Sequence, residues 1–127
     1  MARNDSVGLD TTGVGVTDAE RLDVYRLALE AHGAVVSLTI GEHRILRDQL
    51  ERASLSVALN IAEGAGLRGR REKRRHYSIA RGSAMECVAA LDVVRVRSLA
   101  VISEVEAARR LNIRVIQMLT KLDRALT

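Results

Sequence analysis

Residues 60–75, NIAEGAGLRGRREKRR, decide between two folds. Gly64, Gly66 and Gly69 fit the G-x-G-x-x-G pattern of a dinucleotide-binding turn, and a dense run of cations follows them. That pattern has meaning only where a strand precedes it and a helix follows. Over residues 46–61, however, apolar side chains recur every three or four positions, which is the period of a helix. We therefore interpret the glycines as a turn between two helices, with positive φ angles ending the first one.

The composition of the chain also favours helices. Its 127 residues are 47% apolar but include no Phe, Trp or Pro, so a core of Leu, Val, Ile and Ala is expected within a single domain. The one cysteine, Cys87, cannot form an intrachain disulfide. No run of about 18–20 apolar residues indicates a membrane span, and the first residues lack a signal-peptide pattern. These features predict a cytoplasmic protein without membrane association.

The pattern along the chain predicts an N-terminal tail followed by four helices. Residues 1–16 lack a helical period and are predicted to be flexible, whereas residues 17–127 form the bundle. Thr17 and Glu20 make a capping box that starts helix 1, and Gly41 would end it. Short connections favour antiparallel neighbours, so we expect an all-α, up-and-down antiparallel four-helix bundle. The other three helices are predicted over residues 42–63, 70–97 and 103–126.

Helix 2 carries more apolar surface than a single bundle buries. Leu55, Leu59 and Ala62 form a second row, on a face other than that of the main apolar stripe. A monomer would leave this row in contact with water. We therefore expect self-association.

The basic segment, residues 68–75, dominates the charge pattern. It holds six cations and one acid, a local net charge of +5, while the whole chain is only +4. Cations at the start of a helix oppose the helix dipole, so stability alone does not account for them. The free amides at a helix start add donors for an anion, which favours a grip on phosphate backbone; scarce aromatic residues argue against stacking on single strands. The predicted contacts are Arg68, Arg70, Arg71, Lys73, Arg74 and Arg75.

Other interpretations of the basic segment remain open. It could engage an acidic protein partner or a neighbouring subunit, or form a solvated helix face. An enzyme or metal-binding bundle would centre on Glu63 and Glu86, which could face each other between helices 2 and 3. Carboxylate-bridged metal sites also need Glu-x-x-His pairs, and none occurs here. We therefore expect no catalytic residue, no cofactor and no metal, and we interpret Cys87 as a small core residue.

Polar residues also fall within or beside the apolar faces of helices 2 and 3. A buried carboxylate is costly unless it is paired, so Arg81 is the expected partner of Glu63 or Glu86. We predict a polar network that fixes the register of these two helices. Its members are Asn60, Glu63, Arg81, Ser83 and Glu86.

Four stretches resemble a known family. LDVYRLALEA (22–31), QLERASLSVALNIAEGAGLRG (49–69), YSIARGSAMEC (77–87) and VIQMLTKLDRAL (115–126) are similar to the four-helix-bundle proteins associated with intervening sequences in bacterial 23S ribosomal RNA. The resemblance covers roughly residues 20–126.

This resemblance implies a bundle that assembles into a ring-like homopentamer, related in architecture to the accessory protein of diversity-generating retroelements, and a non-enzymatic role. The family's Ser-Ile-Pro-Ser is replaced here by SVAL at residues 56–59, which removes a helix-breaking proline and could alter the usual subunit contact. The leading hypothesis is an oligomeric bundle that binds RNA or DNA through the basic segment, as a scaffold or accessory factor. The alternative is a protein-interaction module for an acidic partner.

Overall fold

The chain folds into four α-helices that surround one core. The computed structural model describes residues 18, 19 and 22–127, and within these it contains no β-strand. Helices α1 and α2 pack together, as do α2 and α3, α3 and α4, and α1 and α4, so each helix contacts its sequence neighbour and the ring closes. This confirms the predicted all-α bundle. The helices are α1 (Asp23–Val36), α2 (Arg44–Gly66), α3 (Arg70–Val96) and α4 (Ile102–Leu126).

Helix α1 is shorter at both ends than the pattern predicted. It begins at Asp23, and the capping pair Thr17 and Glu20, like the predicted tail over residues 1–16, lies outside the described residues. It ends at Val36 instead of Gly41, because the residues that follow adopt a non-helical course. Leu38 and Ile40 alternate inward and are buried. Gly41, with φ of +73°, then turns the chain towards α2.

The glycines between α2 and α3 do not act as predicted. Gly64 and Gly66 lie in the last turn of α2, and among the described residues Gly41 is the only glycine with positive φ. Gly64 is needed for packing instead, because a Cβ there would lie 2.8 Å from Cε1 of Tyr77. Its missing side chain lets α2 approach the first turns of α3. Gly69 is the N-cap of α3, with an ordinary extended φ of −74°.

The core divides into two clusters along the bundle. The cluster nearer the α2–α3 connection includes Ile61, Tyr77 and Leu119. The cluster at the other end includes Leu50 and Leu91. Alanines line the buried face of α3, which allows its neighbours to pack closely. Tyr77 is only 4% exposed, so it anchors the start of α3 against both α2 and α4.

The second apolar row of α2 faces solvent in the single chain. Leu55 is 45% exposed and Leu59 is 58% exposed. The expected exposure of this row is therefore confirmed, while the oligomer inferred from it stays a prediction. Within the described part of the chain, no helix combines the length and apolar character that crossing a bilayer requires.

Candidate nucleic-acid interface

The start of α3 presents four arginines to solvent. Arg68 precedes the N-cap Gly69, and Arg70, Arg71 and Arg75 occupy the first two turns of the helix. All four side chains are exposed, and none has a hydrogen-bond or ion-pair partner among residues 18, 19 and 22–127. These cations are available to bind an external anion.

Two further arginines of α3 turn towards α4. The Nε of Arg74 donates to Oδ1 of Asp123 at 2.9 Å, and the Nε of Arg81 donates to Oγ1 of Thr120 at 2.9 Å. The hydrogen bond with Arg74 lowers the pKa of Asp123, and the same bond raises the pKa of Arg74. The charge of Arg74 is therefore partly offset by a carboxylate, whereas Arg81 donates to a neutral hydroxyl at the edge of the same surface.

An open groove of about 770 Å³ lies between α3 and α4 at this end of the bundle. Apolar groups of Tyr77, Leu119 and Leu126 contribute to its lining. Among the residues that the structure describes, five arginines surround it and Asp123 is the only acidic residue in its lining. The groove therefore combines positive charge with a partly apolar surface, which suits an anionic ligand. The arginines are Arg70, Arg71, Arg74, Arg75 and Arg81.

Lys73 faces away from this groove. Its Nζ donates to the carbonyl oxygens of Gly64 and Ala65, at 3.0 and 2.9 Å. These are carbonyls of the last turn of α2, where the i+4 donors of the helix run out; the carbonyl of Gly64 also accepts from the backbone N–H of Leu67. Lys73 thus ties α3 to the end of α2, unlike the four arginines that lack a partner among the described residues. The sequence alone did not separate it from its neighbours because all lie in one charged run.

The polar residues between α2 and α3 form a seam, but with partners that sequence reasoning missed. Nδ2 of Asn60 donates to the carbonyl oxygen of Ser56 at 2.9 Å, which leaves Oδ1 of Asn60 to accept from Nδ1 of His76 at 3.1 Å. The hydroxyls of Ser56 and Ser83 are 3.0 Å apart. Nε2 of His76 lies 3.6 Å from the carboxylate of Glu63.

The predicted pairing of Arg81 with Glu63 or Glu86 is wrong. Arg81 lies on the α4 side of α3, whereas Glu86 pairs with Arg52 of α2 at 3.1 Å. Ser56, His76 and Arg52 were the missed members. The signal that could have found them is the antiparallel register: once Gly64 is placed against Tyr77, each of these pairs falls at the same level of the two helices.

The residues considered for catalysis or metal binding are kept apart. The carboxylates of Glu63 and Glu86 pair with different neighbours at the outer edge of the α2–α3 seam instead of facing each other in the core. Among the described residues, no three His, Cys, Asp or Glu side chains are grouped to hold a metal. Cys87 is fully buried, and burial, with a smaller effect from Glu86, raises its pKa to about 12. Its thiolate is therefore not formed at neutral pH, which argues against a nucleophile.

These features define a class: a small all-α bundle with a cationic groove at one end. The chain belongs to the family described as 23S rRNA-intervening sequence protein, whose family model matches residues 20–121. The resemblance seen in the sequence is thereby confirmed. A comparison with curated proteins finds no match for the chain.

Proposed function

We propose that this protein binds the phosphate backbone of nucleic acid, through the exposed arginines at the start of α3. The observation that carries the proposal is the set of four cations without partners among the described residues, next to a groove with further arginines. The family name, which refers to an intervening sequence of ribosomal RNA, favours an RNA-related role.

Arginines at the start of α3 lower the stability of the free protein. The N-terminus of a helix carries partial positive charge, so Arg70 and Arg71 in the first turn of α3 oppose its dipole. Free backbone amides at the same place donate towards anions. A phosphate group satisfies both the amides and the arginine side chains. Contacts with an anionic ligand therefore offset the unfavourable interaction between these arginines and the helix dipole.

We also propose that the protein acts as an oligomer, since the exposed row of Leu55 and Leu59 would be covered by another copy of the chain. Repetition of the basic segment around a closed assembly would turn one weak site into a multivalent one. A monomeric mass in light scattering at micromolar concentration would contradict the oligomer but not the binding site.

The test is fluorescence anisotropy with labelled RNA and DNA, at about 50 to 300 mM salt, because each phosphate contact contributes about 0.7–0.9 to the log–log salt slope. The test variant replaces Arg68, Arg70, Arg71 and Arg75 by Gln. A control variant replaces four exposed cations elsewhere by Gln, namely Arg26, Arg44, Arg47 and Arg97.

Both variants lose the same net charge. We expect the test variant to lose most of its affinity and up to about 2.8–3.6 units of slope, and the control variant to lose much less. No binding by the wild-type protein, or equal losses in the two variants, would contradict the proposal. Pull-downs would then address the alternative, an acidic protein partner.

A further inference from the structure

A second row of cations runs along the solvent-facing side of α4. Its members follow at steps of four, seven and three residues, so they share one face of the helix. The first and last are 14 positions apart, or about 21 Å at 1.5 Å per residue. Gln117 fills the gap in the middle of the row. This α4 row consists of Arg110, Arg114, Lys121 and Arg124, all of them exposed.

The α4 row differs from the cations elsewhere in the bundle, which are mostly paired. Arg52 contacts Glu86, Arg95 contacts Asp92 and Glu106, and Arg109 contacts Asp92 at 2.9 Å. No member of the α4 row has a partner among the residues that the structure describes.

Like charges four residues apart, as at Arg110 and Arg114, repel each other along a helix. Helix stability therefore does not explain Arg110 and Arg114, although the helix dipole favours Arg124 in the last turn of α4.

The tertiary structure joins this row to the basic segment. The bonds from Arg74 to Asp123 and from Arg81 to Thr120 hold the start of α3 against the end of α4. Lys121 and Arg124 directly follow Thr120 and Asp123 of the groove lining, so this end of the α4 row lies next to the groove. Arg110 lines a separate pocket with Arg95 and Glu106, so the row continues from the groove towards the other end of the bundle.

The charge of the chain divides accordingly. Residues 68–75 carry +5, and residues 107–127 carry five cations and one acid, or +4. Since the whole chain is +4, the remaining residues sum to −5. Positive charge is therefore concentrated at the start of α3 and in the second half of α4, two segments that are distant in sequence and meet where Arg74 binds Asp123.

The shape and chemistry of this surface select the kind of ligand. A straight row of cations about 21 Å long suits a stiff, extended polyanion, and double-helical nucleic acid is stiff over far greater lengths. Binding of single strands generally relies on exposed aromatic side chains. The chain has only two aromatic residues of the Phe, Trp and Tyr group, and Tyr77 is buried.

We propose that the α4 row and the start of α3 form one continuous surface for the backbone of double-helical nucleic acid. This inference rests on the proposed function and specifies its ligand. The cations contact phosphates along the duplex without reading the bases. The groove between α3 and α4 accepts one edge of the backbone.

The experiment compares three probes, an RNA duplex, a DNA duplex and a single strand, each of about 20 base pairs or nucleotides, over about 50 to 300 mM salt. The α4 variant replaces Arg110, Arg114, Lys121 and Arg124 by Gln, which has a helix propensity close to that of Arg and Lys. The controls are the wild-type protein, the variant at the start of α3 and the charge-matched variant at Arg26, Arg44, Arg47 and Arg97.

We expect the α4 variant to lower the salt slope on duplex by up to about 3.6 and to weaken binding at least tenfold beyond the charge-matched control. Single strands should bind more weakly than duplex. The two duplex probes reveal whether RNA or DNA is preferred. Circular dichroism verifies folding, and the pairwise variants R110Q/R114Q and K121Q/R124Q replace the fourfold variant if it is unstable.

Different outcomes overturn different statements. Failure of the wild-type protein to bind any probe would overturn the proposed function and this inference together. Loss of binding in the α3 variant, with the α4 variant equal to the charge-matched control, would overturn only the inference. Single strands bound as tightly as duplex would also overturn it.

Discussion

The first turns of α3 border two seams of opposite character. Towards α2, the seam is closed by internal contacts: Gly64 lies under Tyr77, Lys73 binds the last carbonyls of α2, and Asn60 accepts a bond from His76. Towards α4, the seam is an open groove with cations around it. The same helical segment thus holds the bundle together on one side and presents charge on the other.

The residues of the α2 seam stabilise the fold, whereas residues beside the α4 seam are available for a ligand. Polar groups on the α2 side are satisfied within the protein, whereas Arg70, Arg71 and Arg75 are not satisfied by any described residue. Changes on the α2 side should therefore alter the free energy of unfolding with little effect on binding. Changes on the α4 side should alter binding, with less effect on the free energy of unfolding.

The largest expected effect is at Gly64. Replacing Gly64 by Ala places a Cβ against the buried ring of Tyr77, and overpacking of this kind costs about 1–3 kcal/mol, partly offset by the better helix propensity of Ala. We expect the free energy of unfolding to fall by about 2 kcal/mol in urea denaturation, since the added Cβ would lie only 2.8 Å from Cε1 of the ring. Gly66→Ala is the control, because a Cβ at that position would meet nothing within 4 Å. Equal stability of the two variants would refute the packing role of Gly64.

Lys73 gives the next largest effect. Lys73→Met keeps the length of the side chain but removes two charge-assisted bonds to the carbonyls of Gly64 and Ala65. The free energy of unfolding should fall by about 1–1.5 kcal/mol, while the salt slope of nucleic-acid binding changes by less than that of Arg71→Met. Should Lys73→Met flatten the slope as much as Arg71→Met does, Lys73 would belong to the binding surface after all.

At the start of α3, substitutions should raise the free energy of unfolding instead of lowering it. The double variant R70Q/R71Q removes two cations from the positive end of the helix dipole, so the free energy of unfolding should rise by about 0.5–1 kcal/mol at low salt. Binding to nucleic acid should weaken at the same time. Thermal denaturation at low and high salt measures the gain, which should shrink as salt screens the dipole. A loss of stability would show that these arginines make stabilising contacts.

The smallest effect is expected at Asp123, a carboxylate in the groove lining. Asp123→Asn removes a negative charge and frees Arg74, so affinity for nucleic acid should rise a few-fold in anisotropy measurements. The pKa of this carboxylate is lowered in the folded state, so its pairing stabilises the protein above the ordinary pKa of Asp and is lost as pH falls through the lowered value. The variant should lack that part of the acid dependence of stability. Weaker binding by the variant would place Asp123 among the residues that position Arg74 for the ligand.

The sequence predicted the helices well because their signal is local. The start of α3 at Arg70 was predicted correctly, and the end of α4 at Leu126 likewise. Errors arose where tertiary contacts overrode local signals. Leu38 and Ile40 leave the helix to bury alternate side chains, and Gly64 stays in a helix because α3 needs the space.

The sequence analysis placed the candidate surface in one contiguous segment, residues 68–75. It therefore missed the cations that α4 contributes. The α4 row is visible in the sequence as cations on one helical face, but its members are spread over 15 positions among mostly neutral residues. Charge counted along the chain does not reveal which distant segments meet. That Asp123 lies against Arg74 depends on the antiparallel packing of α3 and α4.

By itself, then, the sequence determined that this chain is a helical bundle with a strongly basic segment, because apolar period and charge are properties of consecutive residues. Only the tertiary structure decided how each cation is used. Lys73 and Arg74 are consecutive in one charged run, yet Lys73 contacts the end of α2 and Arg74 binds Asp123 at the open groove. The reason is physical: in a helix of 3.6 residues per turn, neighbours in sequence point in different directions, and the packing of the other helices determines what each direction meets.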